Sequence, residues 1–242
     1  LVTVFAATTD YTKQDIPANI TELFKKFTEL MLGRWDERKG LRQQYQAPLK
    51  DFVLTRLAFH MHSSRMASIA RPDAIEIVRN ELVRRGHTED IPKLLDEIFD
   101  RSGIFRVMGN EIEFRHHLLQ EFFAGRGIAD PDTVPQLIHD DWWKRALIFY
   151  FGERADSISL LASSAKAAQG MEPGQLLEAA TTVGLALQAC YLSPVGEKLE
   201  LWRWVVEALE ISQAPAIKAF DADGKYPIST FFHFYLYARD SV

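Results

Sequence analysis

The run Phe114-Arg115-His116-His117-Leu118-Leu119-Gln120-Glu121-Phe122-Phe123-Ala124-Gly125 constrains the fold more than any other segment. Before it the apolar pattern has period two: Ile104, Arg106 and Met108 alternate with Phe105 and Val107. Gly109-Asn110 can make a two-residue turn, and Glu111-Ile112-Glu113-Phe114 returns, which predicts a β-hairpin. Within the run the period changes to that of a helix, with Leu118, Leu119, Phe122 and Phe123 on its core face. A strand must therefore end, and an amphipathic helix begin, around His116 and His117.

Upstream, three helical patterns precede the hairpin. Leu49, Phe52, Val53, Leu57 and Met61 share one face. Ile75, Val78 and Leu82 share another in a helix predicted over 72–85, which stops at Gly86. A further helix is predicted to open at Thr88 with Glu89 and Asp90 in its first turn, where acids suit the dipole, and to end at Gly103. Three helices and a hairpin are the order of a winged helix. An earlier helix starts near Ile16, where Asn19 and Glu22 are spaced to cap its first turn. It carries Leu23, Phe24, Phe27, Leu30, Met31 and Trp35 on one face and ends in the charged stretch Asp36-Glu37-Arg38-Lys39-Gly40. Beyond Pro131, helices are predicted over 133–152, 156–169, 173–192 and 195–210, and then over 215–220 and 228–239. Breakers separate them at Gly170, Pro173-Gly174, Pro194, Pro215 and Gly224-Lys225-Tyr226-Pro227. The fold expected is mainly α: a helical segment over 1–40, a winged-helix domain with a small β-hairpin over 41–130, and a repeat-like helical array over 131–242.

Composition narrows the function. With 242 residues, 47% of them apolar and 16 Phe, burial is ample. A net charge of -5 with both signs interspersed argues against a nucleic-acid-binding module. One cysteine gives no internal disulfide, and no apolar stretch approaches the ~18 residues of a membrane span, so a cytoplasmic location away from membranes is expected. A chain that opens on Leu1-Val2-Thr3-Val4-Phe5-Ala6-Ala7 reads as part of something longer.

Catalytic motifs are absent: there is no G-x-x-x-x-G-K-[ST], G-x-G-x-x-G or G-x-S-x-G. Cys190, among Leu187, Ala189 and Tyr191, reads as an inert buried thiol. His60 and His62, two apart on a helix, diverge and cannot share a metal ion. Asp221-Ala222-Asp223-Gly224 reads as a turn rather than a calcium loop. The helix over 72–85 brings Arg71, Arg79, Arg84 and Arg85, and the hairpin Arg106, so a DNA-binding winged helix is one rival reading. Asp73, Glu76 and Glu81 on the same helix favour a solvated mixed-charge face. A helical protein-interaction scaffold is the other rival.

Over at least residues 1–128 the chain resembles the NACHT branch of the STAND NTPases. Phe114-Arg115-His116 through Glu121-Phe122-Phe123-Ala124-Gly125-Arg126 is similar to the family motif F-x-H-x-x-x-Q-E-F-x-A. Ile16-Pro17-Ala18-Asn19-Ile20-Thr21-Glu22-Leu23-Phe24, continued by Leu32-Gly33-Arg34-Trp35-Asp36, resembles a helix of the family, and Leu1 to Ala7 one of its first helical domain. The resemblance implies that His116 touches the phosphates of bound ADP and holds a closed state. His117 matches no family role and reads as packing or surface. ADP or ATP would be held by an upstream nucleotide-binding domain of the same polypeptide and not by this part alone, which is expected not to be an enzyme. A protein ligand or oligomer partner is expected on the C-terminal helices, in a signalling ATPase of innate immunity or antiviral defence.

Overall fold

The computed structural model describes residues 17, 19–33, 44–154 and 156–222, with side chains described up to 213. The stretches 1–7 and 36–40, Asp223-Gly224 and the helix expected over 228–239 lie outside them. The chain is mainly helical, with a small three-stranded antiparallel sheet.

Helix α1 spans Ile20–Met31. Its N-cap is Asn19, whose side chain accepts from the Glu22 backbone N–H at 2.9 Å, as the spacing predicts. Helix α2 (Ala47–Ser63) and helix α3 (Arg71–Val83) both open with proline in the first turn, where no N–H is missed. Helix α4 (Ile91–Arg101) starts a turn later than expected, because Asp90 is its N-cap, accepting from the Lys93 N–H at 3.3 Å. The hairpin is β2 (Phe105–Met108) and β3 (Glu111–Phe114), with Gly109 at φ +63 in the turn.

A strand missing from the sequence reading completes the sheet. Residues Ser68–Ala70 form β1 and pair antiparallel with β3, Ile69 opposite Ile112, giving the order β1-β3-β2. Three residues are too few to show a period of two. Pairing across the sheet, with Ile69 and Ile112 both buried, selects the strand.

Helix α5 (His117–Gly127) leaves the sheet at His116 and runs between α2 and the later helices. The helix expected over 133–152 is broken into a 3₁₀ turn Pro131–Thr133, a short α6 (Val134–Leu137), a second 3₁₀ turn Asp141–Trp143 and α7 (Lys144–Glu153). Asp140 makes the break, its carboxylate accepting from the Trp142 N–H at 3.0 Å. Then come α8 (Ile158–Ala167), α9 (Pro173–Ala189) and α10 (Val195–Ala222). The helix α10 runs on through Pro215, which the sequence marks as a breaker.

One continuous core joins these elements, from Phe24 through Phe122 and Phe149 to Val205. Two glycines seat α5 in it. A Cβ on Gly125 would lie 2.1 Å from the Ala146 carbonyl oxygen of α7, and one on Gly127 would lie 2.6 Å from Phe59 Cβ of α2. Only hydrogen fits at either contact.

Candidate functional site

The strand-to-helix junction at the start of α5 displays three consecutive exposed side chains, Arg115, His116 and His117. His116 is the N-cap residue, extended at φ -133 and ψ 126, and its ring makes no capping bond to the helix. The first N–H groups of α5 have no intrahelical acceptor, and the helix dipole is positive there. An exposed imidazole beside such an end is placed to meet an anion, with Arg115 next to it.

The rest of the run is committed to the fold. The Gln120 amide donates to the Met66 carbonyl at 2.9 Å, fixing the loop between α2 and β1. Glu121, with its side chain 7% exposed, lies 3.6 Å from His117 Nε2 and 3.7 Å from Arg145. Burial pushes its carboxyl up, while His117 and Arg145 pull it back. Phe122 and Phe123 are fully buried. The Arg126 guanidinium binds Asp51 of α2 at 2.6 and 2.9 Å and Glu153 of α7 at 2.8 Å. His116 and Arg115 are therefore the two exposed side chains of the run that take no part in its packing.

His117 joins a cluster that the sequence did not reveal. His62, fully buried at the end of α2, stacks on Trp142 with ring centroids 4.9 Å apart and meets Trp143 edge-on at 4.6 Å. Its Nε2 lies 3.1 Å from the Trp142 carbonyl, and Trp142 Nε1 donates back to the His62 carbonyl at 2.8 Å. A carbonyl accepts only, so Nε2 carries the proton of a neutral ring. Nδ1 is buried and has no hydrogen-bond partner. His117 sits 6.0 Å from His62 and 5.1 Å from Trp142. At the rim, Arg65, in a left-handed backbone at φ +54, binds Asp140 at 2.6 Å and lies over Trp142. His60, by contrast, is exposed, so His60 and His62 do diverge.

Burial, reinforced by His117, pushes the His62 imidazole down to about 4. The unfolded ring, near 6.5, takes up a proton between pH 6.5 and 4 while the folded ring does not, so stability falls as pH falls through that window. At pH 4 the loss relative to neutral pH is about 3 kcal/mol from this ring alone. The expected result is that the stability difference between the native protein and His62→Phe, read by urea melts, shifts toward the variant across that window. A difference constant with pH would contradict it.

The other candidates are settled locally. Cys190 is fully buried, and desolvation raises its thiol to about 11, which keeps it protonated. No group of metal-binding side chains occurs among the described residues, and no helix among them is long and apolar enough to cross a membrane. Within the three-helix unit the third helix is α4, not the arginine-bearing α3. Its sequence IPKLLDEIFDR carries more acid than base. On α3, Arg71 pairs with Asp96 and both Arg84 and Arg85 pair with Glu81, while Arg106 of the hairpin pairs with Glu113. Guanidinium groups so occupied are poorly disposed to track a phosphate backbone.

No family model, no curated protein and no solved structure matches the chain.

Proposed function

We propose that this chain is the regulatory and sensor-side portion of a NACHT-like STAND signalling ATPase, in which residues 41–130 act as a winged-helix unit that holds the ADP-bound, closed state. The observation that carries the reading is His116, exposed at the mouth of α5 beside the equally exposed Arg115 and making no capping bond to the helix. The order of three helices and a hairpin, with the sheet order β1-β3-β2, supports it. The pairing of Arg71, Arg84, Arg85 and Arg106 with carboxylates, which leaves Arg79 as the exposed arginine of α3 without one, speaks against the DNA-binding alternative.

In this reading the nucleotide is bound by a P-loop domain upstream in the parent polypeptide, since the chain itself has no G-x-x-x-x-G-K-[ST]. His116 donates a charge-assisted hydrogen bond to a phosphate oxygen, and the phosphate favours the imidazolium that makes it. The N-terminus of α5 adds unbonded N–H groups beside it. That contact ties the unit to the nucleotide. Exchange of the nucleotide removes the tie and lets the unit swing together with the helices packed on α5, a population shift between two states.

In the parent protein, His116→Ala should speed ADP release by roughly 10- to 150-fold, the range for losing one hydrogen bond to a charged group, and raise basal signalling. His117→Ala serves as the control and should change neither. Unaltered ADP retention together with unaltered basal output in His116→Ala would overturn the assignment.

A further inference from the structure

Helix α10 carries an apolar stripe that nothing in the described chain covers. Val195, Leu199, Trp202 and Val206 are 71%, 54%, 41% and 51% exposed. Their spacing of four, three and four residues puts them on one face of the helix. A flanking face, with Leu201, Val205 and Ala208, is buried against α8 and α9. Trp202 is braced against α9, its nearest ring carbon 3.7 Å from where a Cβ on Gly184 would stand. Aromatic and aliphatic side chains held outward on a rigid, well-packed helix are the makings of a contact surface.

We propose that this stripe is a self-association surface, on which α10 of a second copy of the chain packs antiparallel. The stripe is its own reverse. Turned end for end about a twofold axis between Glu200 and Leu201, it sets Val195 opposite Val206 and Leu199 opposite Trp202, so that two copies close on each other with no apolar position left over. The edges agree with the same axis. Arg203 and Glu200 lie along one side of the stripe, and the rotation brings Arg203 of each copy toward Glu200 of the other, both exposed. The inference is independent of the nucleotide reading, since His116 takes no part in it.

Four side chains over about three helical turns make a small interface, so the dimer is weak, with dissociation in the range of roughly 1–100 μM. Sedimentation equilibrium of this chain over ~1 to ~200 μM should show a mass rising from monomer to dimer. Leu199→Glu and Trp202→Glu should each raise the dissociation constant at least ~10-fold. Leu199→Glu is the cleaner variant, because its side chain is not braced on α9, and its melting temperature and far-ultraviolet circular dichroism should match the native chain. The register has its own test. A mixture of Val195→Cys and Val206→Cys chains should be joined by a short thiol cross-linker into the mixed dimer, and neither variant should join to itself. Monomer mass throughout the series, a dimer indifferent to Leu199→Glu, or cross-linking of like with like would each overturn the proposal.

Discussion

Phe122→Ala should cost about 4 kcal/mol of stability, the upper part of the range for emptying a buried aromatic site. The ring is fully buried and touches three others: Phe149 edge-on at 5.3 Å, Phe123 at 5.1 Å and Phe24 at 5.6 Å. Those partners come from α7, α5 and α1, so the void would open where three helices meet. The Gly125 contact holds α5 and α7 at a fixed distance and prevents them from closing on it. Urea denaturation would show the loss as a lowered midpoint. For a chain of this size the melting temperature should fall by about 8–16 °C. Ile20→Ala, at a residue 48% exposed, should stay within about 0.5 kcal/mol. A loss below about 1 kcal/mol at Phe122 would mean that the three helices do not share this core.

The second large effect concerns a buried ion pair. Lys50 of α2 and Glu97 of α4 approach to 2.5 Å, with side chains 5% and 6% exposed. Two charges so far from water are costly to hold, but removing one leaves the other worse placed. Glu97→Ala should therefore cost about 3–5 kcal/mol, since the ammonium loses its carboxylate while staying buried. The double substitution Lys50→Met with Glu97→Leu should recover most of that, because a packed apolar pair avoids desolvating either charge. Denaturation of both single variants and the double variant measures the coupling. Additive losses would show that the two side chains act separately.

Local signals in the sequence carried much of the fold. Asn19 three residues before Glu22, Gly109-Asn110 between alternating strands, and the paired phenylalanines of α5 each act over a few residues, and each is found where the pattern places it. The misses are of a different kind. Strand β1 exists because Ile69 finds Ile112 in β3, a partner far along the chain. The break at Asp140 depends on a side chain outcompeting the backbone for the Trp142 N–H. The helix over Pro215 shows a local preference overruled. The strand end and helix start around His116 are legible in the sequence, but only the resemblance of the surrounding motif singles that residue out. The cluster about His62 could not: His62 and Trp142 are 80 residues apart, and no spacing rule links them. Nor does the pattern distinguish Gln120 and Glu121 from His116, whereas the hydrogen bond to Met66 and the pairing with His117 and Arg145 do.

The two bare contacts of α5 have a mechanical meaning. Gly125 sets backbone against backbone on α7, and Gly127 lies flush against the Phe59 side chain and the Thr55 carbonyl of α2. Arg126, between them, bolts the same two helices through Asp51 and Glu153. A joint without play leaves α5 no room to turn alone, so that α2, α5 and α7 shift together as one block.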